Sequence, residues 1–321
     1  MTALRLLLVV LALALGAEAQ EPRLYRVGVV LQGGASYFSA IDGLRAGLKE
    51  LGFEDGKQFV LHVRDAKGDL KAVEVAAKGL ENEKVDLIYT LASSVTAATK
   101  RATKRVPIVF YAGTDPVELG LIESFRKPGG RLTGIYSRNA DLTAKRLELL
   151  KEMVPKLHRV VAFYSPDNPA AQQSIKMARE AAQQLNVEIV ERPVASVEEL
   201  RAGLKTLRSG EVDGLLYVAD AMVTSQARLM IETARTRRMA TIFQDRESIS
   251  EGALASYGLS YYALGRMSAK YVQRVLLGAN PADLPVDQNA RLHFVINLKT
   301  AKAIGLTIPR SVLARADELV E

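Results

Sequence analysis

Residues 84–94 read KVDLIYTLASS and residues 211–221 read EVDGLLYVADA. Each copy sets Val-Asp before a short run of apolar strand formers and ends in small polar residues, where a strand hands over to a helix. Laid over each other, Val85-Asp86 meets Val212-Asp213, and farther along VPIVF at Val106 meets MATIF at Met239. A strand-helix series written twice predicts two lobes of like topology rather than one large sheet. The length of 321 residues agrees, since one domain usually takes about 150.

Around the first copy, the strand-like runs YRVGVVLQ (25–32), QFVLHVR (58–64), VDLIYT (85–90) and PIVFYA (107–112) alternate with helical stretches. In the first of these Phe38, Ile41, Leu44, Leu48 and Leu51 form one stripe that Gly52 stops, and further helices are expected over 69–81 and 95–104. The series restarts with RVVAFYS (159–165), a stripe of Ile175, Ala178, Ala182 and Leu185, VEIVER (187–192), a helix over 197–207, VDGLLYV (212–218), a helix through Met230, and MATIFQ (239–244). Such alternation requires parallel strands with helical crossovers, because a tight turn cannot join a parallel pair. The expected fold is α/β, two Rossmann-like lobes with parallel sheets, crossing first at 136–141. Three late pieces follow: ALASYG (253–258), a helix over 261–277, and a strand and short helix in 291–309. If they return to the first lobe, a multi-strand hinge joins the halves. The expected division is 20–137 plus 256–284 for the N-terminal lobe and 138–255 plus 285–321 for the C-terminal lobe.

Residues 1–19 read as a signal peptide: Arg5 precedes an apolar run over 6–15, and Ala17-Glu18-Ala19 supplies the small residues before cleavage. That run is too short to span a bilayer, which favours a periplasmic protein freed by cleavage over a membrane-spanning one. No cysteine is present, so disulfides, a lipidated cysteine and cysteine-based zinc or thiol chemistry are excluded. The net charge of +7 describes a basic solvated surface, and export argues against nucleic acid as a partner.

In open parallel sheets, ligands bind beyond the carboxyl ends of the strands, where loops and helix N-termini converge. The candidates for a ligand cleft are therefore Gln32 and Tyr37 in the first loop, Ser93, Ser94 and Thr96 after the third strand, and Tyr111 and Asp115 after the fourth. In the second lobe they are Asn168, Asp220, Gln244 and Arg246, with Tyr257 on a late strand. The hydroxyls and free amides at Ser93, Ser94 and Thr96 suit a carboxylate, and Asp220 suits an ammonium; N-capping by the same residues is the competing account. The tyrosines offer stacking faces, or else lobe packing. His62, His158 and His293 stand alone, and no nucleophile elbow, phosphate-binding glycine fingerprint or metal-ligand spacing occurs, so neither an enzyme nor a cofactor is expected. A hydrolase using an Asp/Glu pair stays open as a rival.

Several longer blocks carry a resemblance: GLRAGLKELGFEDGK from Gly43, VPIVFYAGTDPVELGLIESFRKPGGRLTGIYS from Val106, KRLELLKEMVP from Lys145, ASYGLSYYALGRMSAKYVQRVLLGANPADLPV from Ala255, and FVINLKTAKAIGLTIPRSVLARADELV from Phe294. The chain resembles the secreted substrate-binding components of bacterial ABC importers, in the uncharacterised or tryptophan-type branch. The resemblance implies a type I periplasmic-binding-protein fold, capture of a small molecule between hinged lobes, and delivery to an inner-membrane ABC permease whose ATPase works on the cytoplasmic side. It also implies ligand loops at 92–96, Thr114-Asp115, Asn168, Asp220 and 244–246. The first loop, QGGASYF, departs from the His-Pro pair of the aromatic-amino-acid branch, and no lipobox cysteine is present. The expected function is a solute-binding component for an amino acid or similar small carboxylate; the alternative is a secreted sensory module serving a receptor kinase.

Overall fold

The computed structural model describes residues 23–288 and 291–321; the expected signal peptide lies outside the described residues. The first sheet is built from β1 (Tyr25–Leu31), β2 (Phe59–Asp65), β3 (Leu87–Leu91), β4 (Ile108–Ala112), β5 (Leu132–Tyr136) and β11 (Asp287–Gln288), in the order β11-β5-β4-β3-β1-β2. It is covered by α1 (Ala35–Glu50), α2 (Leu70–Asn82), α3 (Ser93–Ala102) and α10 (Tyr261–Leu276). The second sheet contains β6 (Arg159–Tyr164), β7 (Glu188–Pro193), β8 (Gly214–Leu216), β9 (Ala240–Asp245), β10 (Ala255–Leu259), β12 (His293–Asn297) and β13 (Glu318–Val320), in the order β13-β12-β10-β9-β8-β6-β7. Its helices are α4 (Thr143–Met153), α5 (Pro169–Leu185), α6 (Val197–Thr206), α7 (Ala221–Ser225), α8 (Ala227–Thr236), α9 (Glu247–Ser250), α11 (Leu298–Ile304) and α12 (Arg310–Leu313). Apolar residues cover both faces of each sheet; in the first lobe a large cluster containing Leu44, Leu80 and Leu264 spans the two faces, with a smaller one around Ile108 and Phe110. In the second lobe the layers are led by Leu150 and Ile175, and by Phe163 and Leu200.

The repeated Val-Asp has a shared physical task. Asp86 Oδ2 accepts from the Arg26 amide at 2.7 Å while its own amide donates to the Arg26 carbonyl at 2.8 Å. In the second lobe Asp213 Oδ2 accepts from the amides of His158 and Arg159 at 2.7 and 2.9 Å, and its amide donates to the Arg159 carbonyl at 2.8 Å. Each aspartate thus pins the start of its third strand to the start of the first. Edge amides that would otherwise be orphaned are satisfied, and the parallel register is set at the end of the sheet far from the loops.

The chain crosses between lobes three times among the described residues: after β5 through a 3₁₀ turn at Ala140–Leu142, between β10 and α10, and between β11 and β12. Two parts of the expected division shift. Residues 255–259 pair with β9 and β12 in the second sheet, so the second crossing falls at Ser260 and not at 256; the period-2 pattern of this strand carried no mark of its sheet. Asp287 and Gln288, expected in the C-terminal lobe, pair with Ile135 and Tyr136 of β5 in the first. Both sheets were expected to be parallel, but β10 and β12 pair antiparallel. Because β12 arrives from the first lobe, it enters its sheet at the cleft end, where the neighbouring strands finish, and must run the other way. An antiparallel strand of this kind is common on an otherwise parallel sheet.

The expected stripe on α1 is real at Ile41, Leu44 and Leu48, but Phe38 and Leu51 are 43% and 41% exposed. What α1 buries instead is backbone. A β-carbon on Gly265 of α10 would stand 1.8 Å from the Ala40 carbonyl oxygen, and one on Gly43 of α1 would stand 2.0 Å from that of Tyr262. Gly47 meets the Arg266 carbonyl in the same way, at 2.6 Å. The helices touch main chain to main chain, and Arg266–Glu50 and Gln273–Leu51 bonds of 2.9 Å close the far end. Replacing Gly265 with Leu should lower unfolding stability by about 1–3 kcal/mol or more through overpacking, read as a fall in the urea midpoint; an unchanged midpoint would contradict this packing.

Candidate functional site

The strand ends of both sheets face each other across a narrow cavity of about 30 Å³, well below the roughly 300–1,000 Å³ typical of small-molecule pockets, so the lobes stand closely apposed. The lobes meet around it. Ser39 Oγ donates to Glu247 Oε1 at 2.9 Å, Tyr37 bonds Thr224, Ser36 bonds Asp245, and a β-carbon on Gly34 would approach the Thr224 carbonyl to 2.8 Å.

Seven of the expected residues line the cavity: Tyr37, Ser93, Ser94, Tyr111, Asn168, Asp220 and Gln244. The other five lie elsewhere. Gln32 ties its loop to the Gly68 carbonyl at 3.0 Å, and Thr96 is turned into α3, bonding Thr90 and the Ala92 carbonyl, both at 2.9 Å. Asp115 accepts from the amides of Val117 and Glu118 at 2.8 and 3.3 Å and is a turn former. Arg246 forks onto Glu318 at 2.5 and 2.9 Å, and the Tyr257 ring packs edge-on against Phe294 at 6.3 Å. Tyr217, Tyr261 and Asn139 line the cavity without having been singled out. Tyr261 opens α10 straight after the Ser260 cap, at a crossing, and Asn139 lies in the first crossing. Their signal was position in the hinge, not residue type.

The repeat aligns Ser93 with Asp220, and the two lobes treat that position oppositely. Asp220 caps α7: its Oδ1 accepts from the amides of Met222 and Val223 at 2.9 and 3.3 Å, and its Oδ2 from Ser165 at 2.9 Å. Asn168 likewise caps α5 through the Ala170 amide at 3.0 Å. Ser93 does not cap its own helix. Its Oγ accepts from the amides of Gly113 and Thr114 at 3.1 and 3.2 Å and from Thr114 Oγ1 at 2.7 Å, knitting two loops together. The N-caps of α1 and α3 are Gly34 and Ala92, neither with a side-chain cap, and Ala92 sits at φ 88°, ψ 148°, a region almost reserved for glycine. The first amides of α3 are therefore left to the cavity, where the helix dipole favours negative charge.

Four buried rings pave the interior. Tyr261 meets Tyr37 and Tyr111 edge-on at 5.4 and 5.6 Å, and Tyr217 tilts against Phe243 at 5.5 Å. Each hydroxyl is held: Tyr37 and Tyr217 by Thr224, Tyr111 by Ser137 at 2.8 Å, and Tyr261 by Gln244 Nε2 at 3.0 Å. Burial pushes all four phenols up, Tyr111 to about 12, so they stay neutral. Burial also raises Asp220, against the lowering effect of the bonds from Ser165, Val223, Met222 and Asn168.

Asp245 ends β9 at the lobe contact. Burial, then the neighbouring Glu247, push its carboxyl up to about 7, against bonds from Ser36 and the Ser248 amide. A carboxyl raised in the native state holds a proton that the unfolded chain releases, so the stability it contributes is full below about pH 4 and is lost as pH rises through about 7. The melting temperature should fall between pH 5 and pH 8 more steeply for the wild type than for Asp245→Asn; parallel slopes would show that this carboxyl does not titrate in that window.

Comparison with known proteins agrees with this architecture. The family model described as ABC transporter substrate binding protein matches residues 26–320. The tyrosine-binding protein of Clostridioides difficile is 29% identical over 266 residues, covering 82% of this chain and 76% of that one. A conserved domain protein of Vibrio cholerae superposes with a TM-score of 0.82 at 27% identity, covering 92% of this chain and 100% of its own. An ABC domain from Streptococcus pneumonia in complex with L-Trp gives 0.81 at 26%, covering 93% and 100%. More distant solved structures share the fold alone, that of the type I periplasmic binding proteins. With the match running over nearly all the described residues, the chain belongs to the ABC transporter substrate binding protein family.

Proposed function

We propose that this protein is the extracytoplasmic solute-binding component of an ABC importer, and that it captures an α-amino acid with an aromatic side chain between its lobes. The observation that carries the reading is the Ser93–Asp220 equivalence. One lobe offers uncapped helix amides for a carboxylate, and the other a buried carboxylate for an ammonium. Tyr37, Tyr111, Tyr217 and Tyr261 supply an apolar, π-faced enclosure for a ring. Relatives described as tyrosine-binding and crystallised with L-Trp support the same class.

Closure buries the solute, and the closed pair of lobes is the form presented to an inner-membrane permease. The solute leaves unchanged, since no bond is made or broken. The protein works in the periplasm after removal of residues 1–19. No helix among the described residues is long and apolar enough to cross a membrane.

Calorimetry and thermal shift against the twenty amino acids test the reading. L-tyrosine or L-tryptophan should raise the melting temperature by mass action and bind with a Kd near the micromolar range, about −8 kcal/mol. If no amino acid shifts the transition, the proposal is wrong. Asp220→Asn keeps a good capping side chain but removes the charge. It should weaken amino-acid binding by about tenfold or more, as expected for a charge-assisted bond, and lower the melting temperature of the free protein somewhat, because the Ser165 amide loses its acceptor. Binding equal to wild type would remove Asp220 from the ammonium site.

A further inference from the structure

Arg146, on α4, is completely buried, and among the described residues none of its hydrogen bonds goes to a carboxylate. Its Nε donates to the Tyr257 carbonyl at 2.8 Å, its Nη1 to the Asn139 carbonyl at 3.3 Å and its Nη2 to Asn139 Oδ1 at 2.5 Å. Burial lowers the guanidinium only to about 10, so it remains a cation at neutral pH. The groups in its electrostatic surroundings are Asp245 and the phenols of Tyr217, Tyr261 and Tyr111.

A guanidinium can only donate. Asn139 must therefore turn its oxygen toward Arg146 and its Nδ2 outward, where it donates to Gln244 Oε1. Gln244 in turn has only its Nε2 to offer Tyr261, and it donates to that hydroxyl at 3.0 Å. The Tyr261 oxygen is an acceptor in this bond, so its own proton points away from Gln244. Within its reach is the Tyr111 hydroxyl, itself 2.8 Å from Ser137 Oγ. Asn139, Gln244, Tyr261 and Tyr111 all line the cavity. One stretch of the lining is thus a one-way chain whose direction is set by a buried cation beneath it. Elsewhere in the lining Asp220 is acceptor only, already facing the amides of Ser165, Met222 and Val223.

We propose that Arg146 is the positioning residue that fixes which way round the bound amino acid lies: with Asn139 Oδ1 taken by Arg146 and Gln244 Oε1 taken by Asn139, neither amide oxygen of this wall is free for an ammonium, and that group is directed to Asp220. The inference rests on the amino-acid reading given above. A ligand oxygen placed against this wall competes with the Tyr111 hydroxyl for the Tyr261 proton, and Asn139 and Gln244 each keep a second amide N–H to donate. An ammonium placed there meets donors above a cation, an arrangement disfavoured by both bonding and charge.

The test uses the full mature chain and three probes that share one ring: L-tyrosine, tyramine, which lacks the carboxylate, and 3-(4-hydroxyphenyl)propionate, which lacks the ammonium. Gln244→Glu ends the chain in an acceptor and commits the Tyr261 proton to it. Relative to the propionate, tyramine should then gain about tenfold over its standing on wild type. Arg146→Lys keeps a buried donor and should hold the wild-type ratio, whereas Arg146→Met should shift it in the same direction as Gln244→Glu. A uniform loss of affinity for all three probes, with their ratio unchanged in folded Gln244→Glu, would mean a structural role only and overturn the proposal. Failure of wild type to bind L-tyrosine or L-tryptophan would instead overturn the amino-acid reading, and this inference with it.

Discussion

The main-chain contact between α1 and α10 is the constraint on which the two-lobe arrangement depends. After β10 the chain is in the second lobe, and only a helix able to lie directly on the backbone of α1 brings it back to the first. Gly43, Gly47 and Gly265 leave carbonyls facing positions where any β-carbon would collide. The interface is therefore selective for one partner and one register. Because α10 is held, β11 extends the first sheet beside β5, the third crossing follows, and β12 enters the second sheet in reverse.

The repeated Val-Asp acts at the opposite end of each sheet. Asp86 and Asp213 fix the strand starts, so variation between the lobes is confined to the strand ends, where the loops converge. There the two copies diverge in chemistry while keeping their geometry. Ser93 and Asp220 occupy the same place, as do Tyr111 and Gln244, yet one lobe offers amides and aromatic faces and the other a carboxylate and an amide side chain. A cleft between near-copies would be symmetric and suited to a symmetric ligand. These substitutions make it polar along one axis, which suits a zwitterion.

Much of this was legible in the chain because it depends on periodicity and on order. The alternation of strands and helices, the duplication and the loops carrying Ser93, Asp220, Asn168 and Gln244 follow from patterns that local physics imposes. Sheet membership of short late strands was not legible, since ALASYG alternates identically whichever sheet it joins. The inward turn of Thr96 and the Arg246–Glu318 pair were hidden for a different reason. A side chain near a strand end faces the cavity or a neighbour according to contacts made far along the sequence, in the latter case with the C-terminal strand. Nothing in the sequence around Arg146 marks it out. Only the packed structure shows that it is buried and where its donors go.

The second crossing consists of a single residue. Ser260 follows the last position of β10 and caps α10 by accepting from the Ala263 amide at 3.2 Å, so it belongs to neither lobe and has no slack of its own. This is one of three crossings that join the halves among the described residues, and the next residue is Tyr261, whose ring forms part of the cavity wall. Connector and wall are thus consecutive residues, with no spacer between them: were the angle between the halves to change at this crossing, the first side chain to feel it would be one that lines the chamber.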